Sequence, residues 1–230
     1  MRLSIIIPCL NEAGGIVAAL ERLQPLRQRG VEVIVVDGGS SDGSATLAAP
    51  LADRVLTAPR GRASQMNAGT AVARGAVLLF LHADCTLPAD GDRLIAAGLQ
   101  TSGRHWGRFD VNLAGAHPLL GLIGFMMNWR SRLTGIATGD QGMFVTRGRF
   151  ADAGGFPAIP LMEDIALSKN LKAGGAPLCL RARITASGRR WDERGVLRTM
   201  LLMWRLRLAY FLGADPADLA LRYDGYRSAR

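Results

Sequence analysis

The chain has 230 residues, of which 49% are apolar and 20% are charged. That length suffices for one large domain with its own core, and the apolar content excludes an intrinsically disordered protein. The net charge of +9 fits an anionic substrate, a membrane surface or nucleic acid, but equally an arginine-rich solvated surface. The three cysteines, Cys9, Cys85 and Cys179, include no CxxC pair. They argue against a zinc site or a disulfide framework and for a reducing compartment.

The distribution of hydropathy and charge bears on where the protein acts. No stretch reaches the ~20 apolar residues of a membrane-spanning helix, and the apolar run at residues 1–8 is too short for a signal peptide. We therefore expect a cytoplasmic protein. Residues 181–230 hold eleven arginines against five acidic residues, so a peripheral contact with the inner face of a membrane is the alternative.

Apolar strands alternate with helices along the first hundred residues. The pattern predicts strands at residues 3–8, 31–37, 54–57 and 76–82, and helices near residues 13–29, 42–52, 63–74 and 90–100. In the less regular second half it predicts strands at 105–113, 142–147 and 178–186, and helices near 117–133, 163–173, 195–212 and 215–223. Strand 76–82 is apolar throughout and therefore central. The alternation predicts an α/β fold with a Rossmann-like open, twisted, mostly parallel sheet flanked by helices.

Polar residues follow the first two strands where each strand ends. Pro8, Asn11 and Glu12 close the first strand, and Asp37 closes the second. Because the carboxyl ends of neighbouring parallel strands form a crevice, these residues are candidates for binding a nucleotide. The alternative for Asp37 is a turn residue before two glycines. Neither a GxGxxG fingerprint nor a GK[ST] loop follows these strands, which argues against NAD enzymes and P-loop NTPases.

Further along the chain, four short clusters carry side chains suited to chemistry. Arg62 stands at the predicted start of a helix, a favourable place for an anion, although a surface arginine beside a turn is equally consistent. The other clusters are His82-Ala83-Asp84 at the end of the central strand, Asp140-Gln141 between two glycines, and Glu163-Asp164 at a helix start. An acidic pair at a helix start also stabilises the helix dipole, and a Gly-bounded polar pair also forms tight turns.

Taken in this order, the motifs resemble those of family 2 glycosyltransferases of the GT-A fold, over nearly the whole chain. Segments 61–67, 81–84 and 189–191 are further similar to a compact bacterial subgroup labelled arsenosugar biosynthesis glycosyltransferase. The resemblance implies a hexosyltransferase-type enzyme. It would transfer a sugar, with inversion, from a nucleoside-diphosphate sugar, most often UDP-linked, to an acceptor hydroxyl.

On the donor side, the resemblance assigns nucleotide binding to Pro8, Asn11, Glu12, Asp37, Arg62 and His82. Asp84 matches the metal-binding second Asp of the family's DxD motif, so the expected cofactor is Mn²⁺ or Mg²⁺. His82 replaces the first Asp of that motif. A hydrogen bond to the donor ribose, or a purely structural role, is favoured for it over metal ligation. Met66 stands where the family has an arginine, and Arg62 is the candidate substitute.

On the acceptor side, the resemblance implies that Asp164 is the catalytic base and that Glu163 holds the acceptor. Asp140 and Gln141 would border the acceptor pocket. Arg190 and Trp191 resemble an arginine–tryptophan element that contacts acceptor and diphosphate in processive members. A structural tryptophan flanked by surface arginines is an equal alternative.

We expect one domain over residues 1–230, with a nucleotide-binding half (1–100), an acceptor half (101–194) and C-terminal amphipathic helices (195–230). For helix 195–212, packing against the domain or a second subunit is favoured over peripheral membrane binding. The alternatives to a glycosyltransferase are a nucleotidyltransferase on a similar sheet and a non-catalytic module that binds nucleotide or nucleic acid. The first would need a Gly-rich loop after the first strand and the second a nucleic-acid motif. The sequence has neither, so nucleic acid is not an expected partner.

Overall fold

The computed structural model describes residues 2–228, without the side chains of Arg190, Asp224 and residues 226–228. Eight strands form one mixed sheet in the order β3-β2-β1-β4-β7-β6-β8-β5. The strands are β1 (Leu3–Cys9), β2 (Glu32–Asp37), β3 (Arg54–Thr57), β4 (Val77–Phe80), β5 (Cys85–Thr86), β6 (Trp106–Ala114), β7 (Met143–Thr146) and β8 (Leu178–Ser187). The helices are α1 (Ile16–Gln28), α2 (Ser44–Ala48), α3 (Arg62–Val72), α4 (Gly91–Ser102), α5 (Leu119–Thr134), α6 (Arg147–Asp152), α7 (Glu163–Lys172), α8 (Arg189–Arg194), α9 (Val196–Phe211) and α10 (Pro216–Ser228).

The direction of the strands brings several loops to one edge of the sheet. β1 pairs in parallel with β2 and β4, and β2 with β3, so their carboxyl ends meet at that edge. β7 runs antiparallel between β4 and β6. The 3₁₀ turn Gly139–Gln141 precedes β7 and therefore lies at the same edge. Beyond it, β8 is parallel to β6 and pairs antiparallel with β5.

Both faces of the sheet are buried, which explains why its strands are continuously apolar. Ile5 and Ile7 pack into one core cluster and Ile6 into a second one. These successive residues of β1 point to opposite faces, as the pleat requires. A third, smaller cluster holds α9 and α10 against the start of α7 through Leu206, Leu219 and Ile165.

Several elements differ from the pattern-based prediction. The helix expected near 42–52 is reduced to the five residues of α2, because Pro50 has no N–H group with which to continue the helical hydrogen bonds. The short elements β5, α6 and α8 were not expected. Gly195 has φ 84° and separates α8 from α9. Among the described helices, none is both long and apolar enough to cross a bilayer.

Candidate active site

A cleft of about 740 Å³ opens at the edge of the sheet where β1 and β4 end. Besides these strand ends, its walls are the start of α3, the 139–141 turn, the loop before α7, and α10. Six of the side chains predicted for the site line it: Pro8, Glu12, Arg62, His82, Asp84 and Asp140. These residues span more than a hundred positions of sequence, so the fold gathers them into one place.

Asn11 and Asp37 hold the loops beside the cleft. The Asp37 carboxylate accepts hydrogen bonds from the backbone N–H groups of Gly39 and Ser40, both at 2.9 Å, and from the Ser40 hydroxyl. Oδ1 of Asn11 accepts one from the N–H of Ser41 at 2.9 Å. Asp37 therefore has the turn-forming role that its glycine neighbours suggested. An ionised carboxylate offers about four acceptor positions, so these bonds are compatible with a further contact to a nucleotide.

The start of α3 brings positive charge and backbone N–H groups to the cleft. Arg60 and Arg62 flank Gly61, whose φ of 135° favours glycine, and all three line the cleft together with Ser64. The first N–H groups of a helix lack intrahelical acceptors and, with the helix dipole, favour an anion. Nη1 of Arg62 lies 3.9 Å from Oε1 of Glu163. Desolvation lowers the pKa of Arg62, but the attraction of Glu163 and other acidic groups outweighs it and raises the pKa.

His82, Cys85 and Asp140 bring donor atoms together on the wall formed by the end of β4 and the 139–141 turn, and Asp84 lies beside Cys85. Nδ1 of His82 lies 3.2 Å from Oδ1 of Asp140, and one ligand atom from each of His82, Cys85 and Asp140 lies within 4.8 Å of the other two. Sγ of Cys85 lies 3.7 Å from Oδ1 of Asp84. Burial and the repulsion of Asp140 and Asp84 raise the pKa of Cys85, and its sulfur is a soft donor that Mn²⁺ and Mg²⁺ do not favour. The remaining imidazole and carboxylate donors suit Mn²⁺ or Mg²⁺.

Glu163 and Asp164 begin α7 and do not line the cleft, but each contacts a residue in one of its walls. Oδ2 of Asp164 accepts a hydrogen bond from the N–H of Gly139 at 2.9 Å, which ties Asp164 to the turn that carries Asp140. Glu163 is 4% exposed and faces Arg62. Burial and the repulsion of Asp164 raise the pKa of Glu163, although the attraction of Arg62 opposes them.

Sequence reasoning missed several residues near the site. Arg60, Ser64 and Tyr223 line the cleft. Burial lowers the pKa of Arg207 on α9, against the attraction of Asp164 and Asp140. Burial and the repulsion of Arg207 lower the pKa of Arg130 on α5 to about 10. For Arg130 and Arg207, the signal in the sequence was the presence of arginines within two largely apolar helices.

Gln141 does not border a pocket, which corrects the prediction made for it. Its side chain is fully buried. Oε1 accepts a hydrogen bond from the N–H of Thr138 at 3.1 Å, and Nε2 donates to Oδ1 of Asn128 at 3.3 Å. Its amide therefore supports the turn that presents Asp140 and cannot reach an acceptor.

Arg190 and Trp191 lie in α8, directly after the strand that supports Asp84. The N–H of Ser187 donates to the carbonyl of Asp84 at 3.1 Å. Trp191 is half-buried and packs against the main core cluster, which matches the structural alternative for this residue. The side chain of Arg190 lies outside the part of the chain that the structure describes.

Comparison with known proteins finds a match for the segment that contains most of the cleft residues predicted from the sequence. Residues 4–114 match the family model described as glycosyl transferase family 2. Residues 4–114 belong to glycosyl transferase family 2. This family 2 segment contains Pro8, Glu12, Arg62, His82 and Asp84, whereas the 139–141 turn and α7 lie beyond it.

A relative and two solved structures extend the comparison. An uncharacterized glycosyltransferase of Mycobacterium tuberculosis (strain ATCC 25618 / H37Rv) is 32% identical over 138 residues, which cover 56% of this chain and 59% of the relative. The chain thus spans little more than half the length of that relative.

Staphylococcus aureus TarS 1–349 in complex with UDP-GlcNAc is structurally similar with a TM-score of 0.66 at 17% identity, over 81% of this chain and 58% of that chain. The mannosyltransferase PcManGT from Pyrobaculum calidifontis, in complex with GDP-Man and Mn²⁺, has a TM-score of 0.63 at 20% identity, over 98% of this chain and 69% of that chain. These likenesses confirm the predicted GT-A fold. The arsenosugar subgroup stays a prediction.

Proposed function

We propose that this protein transfers a sugar, with inversion, from a nucleoside-diphosphate sugar to an acceptor hydroxyl with the help of a divalent metal ion. The single observation that carries the proposal is the cleft itself. It places arginines and a helix start opposite a group of carboxylates and a histidine, with an acidic pair joined to both walls. TarS and PcManGT, which share the fold, are described with UDP-GlcNAc and with GDP-Man and Mn²⁺. The family favours a UDP-linked donor.

The donor binds along the wall that residues 8–12 and the start of α3 form. The nucleoside lies by Pro8 and Glu12, beside the loop that Asn11 and Asp37 hold together. Arg62 neutralises the diphosphate, and the N–H groups at the start of α3 add hydrogen bonds to its oxygens. Arg62 thereby takes the place of the arginine that the family pattern has at Met66.

Asp84, Asp140 and His82 are the residues that would hold the metal ion. Carboxylate and imidazole donors suit Mn²⁺ and Mg²⁺, which favour them over the soft sulfur of Cys85. A bound ion supplies positive charge where the departing nucleoside diphosphate becomes more negative. The N–H at Nδ1 of His82 donates a hydrogen bond to the Asp140 carboxylate and so orients it.

Asp164 removes the proton from the acceptor hydroxyl while that oxygen attacks the anomeric carbon. The N–H of Gly139 holds one carboxylate oxygen of Asp164 at 2.9 Å, which fixes its direction relative to the Asp140 turn. Glu163 holds the acceptor from the buried side, next to Arg62. The base then lies on the acceptor side of the sugar and the leaving diphosphate on the other, which is the arrangement an inverting transfer requires.

Isothermal titration of the purified protein with UDP, GDP and dTDP, each with and without Mn²⁺, tests the proposal. We expect Mn²⁺-dependent binding of one nucleotide. Arg62→Gln should weaken it about tenfold or more, since a hydrogen bond to a charged group contributes about 1.5–3 kcal/mol. Arg22→Gln, an exposed residue on α1, is the matched control. Absence of binding to all three nucleotides would remove the donor assignment.

A further inference from the structure

Large apolar side chains are exposed mainly on two helices. In the described residues, thirteen such side chains are exposed, and eleven of them belong to α5, α9 or Leu212 at the end of α9. The α5 group is Leu122, Phe125, Met126, Trp129 and Leu133, and the α9 group is Leu197, Leu201, Trp204, Leu208, Phe211 and Leu212. Single exposed apolar residues are ordinary, whereas a concentration of this kind marks an interaction surface.

Each group forms one stripe along its helix. The positions on α5 and α9 recur at intervals of three, four or seven residues, which is the spacing of one helical face. The opposite face of α5 is buried through Leu120, Ile123 and Ser131, and that of α9 through Val196 and Leu206. The helices are therefore fixed to the fold on one side and present an apolar stripe on the other.

The two helices pack on the same face of the sheet. Met127 of α5 and Met200 of α9 both pack against the same core cluster. Arg130 of α5 and Arg207 of α9 are close enough to repel each other, which together with burial lowers the pKa of Arg130. We call the combined surface of the two stripes the α5–α9 face.

The charge on these helices indicates what kind of partner the α5–α9 face binds. The charged residues of α5 and α9 are five arginines, and neither helix contains an acidic residue. Arg130 and Arg207 are partly buried near Asp164, whereas the arginines at positions 132, 198 and 205 are exposed, the first of them paired with Asp110. In a two-fold contact the same patch of a second copy would be opposed, so like charges would meet. Anionic lipid headgroups instead attract arginine, and Trp129 and Trp204 are of the residue type that anchors proteins at a lipid–water interface.

We propose that the α5–α9 face docks on an anionic membrane surface, with its apolar stripes among the lipid headgroups and acyl chains and its exposed arginines against the lipid phosphates. Both helices lie in the plane of the interface and neither crosses it. The contact is independent of the nucleotide cleft, since Leu201, Trp204 and Trp129 do not line that cleft.

Co-sedimentation of the full chain with vesicles tests this proposal. One set contains phosphatidylglycerol and phosphatidylcholine, and the other contains phosphatidylcholine alone. We expect binding to the first set that weakens as salt is added. Leu201→Glu should reduce it roughly tenfold, while Leu47→Glu, an exposed leucine on α2, should not. Arg205→Glu should reduce it severalfold, while Arg22→Glu on α1 should not.

A second measurement guards against a misfolded variant. Lipids brominated on their acyl chains should quench the fluorescence of the parent protein, and Trp204→Phe should lose part of that quenching while its circular dichroism spectrum stays unchanged. Equal binding by Leu201→Glu and Leu47→Glu, or no preference for anionic vesicles, would overturn the proposal. A dimer in light scattering that Leu201→Glu dissociates would also overturn it, in favour of a second copy on this face.

Discussion

Nδ1 of His82 and Oδ1 of Asp140 lie 3.2 Å apart and join the end of β4 to the turn before β7. The turn can approach so closely because residue 139 is a glycine. A Cβ atom at Gly139 would lie 2.3 Å from Cε1 of His82. The pair therefore depends on a residue that contributes no side chain of its own.

Gly139→Ala should separate His82 from Asp140. We expect Mn²⁺-dependent nucleotide binding to weaken and the free energy of unfolding to fall by about 1–3 kcal/mol, the usual cost of overpacking. Gly148→Ala is the matched control, because a Cβ atom there meets nothing within 4 Å. Titration calorimetry and denaturant unfolding measure the two effects. Equal behaviour of both variants would mean that the His82 ring moves without consequence.

Asp84→Ala should remove the dependence of nucleotide binding on Mn²⁺. The carboxylate is the donor that the family motif assigns to the metal, and its loss leaves His82 and Asp140 as the remaining ligands. Asp152→Ala, an exposed residue in α6, should behave like the parent protein. Nucleotide titrations with and without Mn²⁺ are the measurement. If Mn²⁺ enhances nucleotide binding by Asp84→Ala as much as by the parent protein, Asp84 does not bind the metal.

Asp164→Asn should stop sugar transfer while donor binding stays. A general base contributes about 10²–10⁴-fold to a rate, so turnover should fall at least about a hundredfold. The asparagine oxygen can still accept the hydrogen bond from Gly139, which preserves the turn. Single-turnover transfer assays and nucleotide titration separate the two effects. Turnover at the parent's rate would rule out Asp164 as the base.

Glu163→Gln should stabilise the protein at neutral pH but not at pH 4. Burial and the repulsion of Asp164 raise the pKa of Glu163 above its ordinary value of 4.5. Between pH 4.5, where Glu163 titrates in the unfolded chain, and its higher pKa in the folded protein, the folded protein keeps a proton that the unfolded chain releases. The free energy of unfolding therefore falls as the pH rises through this window. Glutamine has the same shape and does not ionise.

The gap in Tm between Glu163→Gln and the parent should therefore widen from pH 4 to pH 8. About 1 kcal/mol corresponds to about 2–4 °C for a chain of this size. Glu21→Gln, an exposed residue on α1, should show no such trend. Calorimetric scans across this pH range are the measurement, and a gap that is constant with pH would contradict the raised pKa.

Local pattern was sufficient for much of the fold and for several residues that line the cleft. Strand 76–82 was recognisable as central because burial on both faces excludes polar residues from positions 76–81. Pro8, Glu12, His82 and Asp84 could be assigned to one crevice because carboxyl ends of parallel strands share one edge of a sheet. Short elements such as β5 and α8 carry too few residues for a period to be visible.

The sequence by itself determined the α/β class and the family resemblance, since these depend on residues close together in the chain. Only the tertiary structure decided that Gln141 is buried, that Trp191 packs on the core, and that Tyr223 lines the cleft. Each of these outcomes depends on which element, distant in sequence, a side chain contacts. For the 139–141 turn, the antiparallel placement of β7 determines those contacts. The same is true of α5 and α9. Each helix is apolar in sequence, but only their packing shows which stripe is buried and which one is exposed.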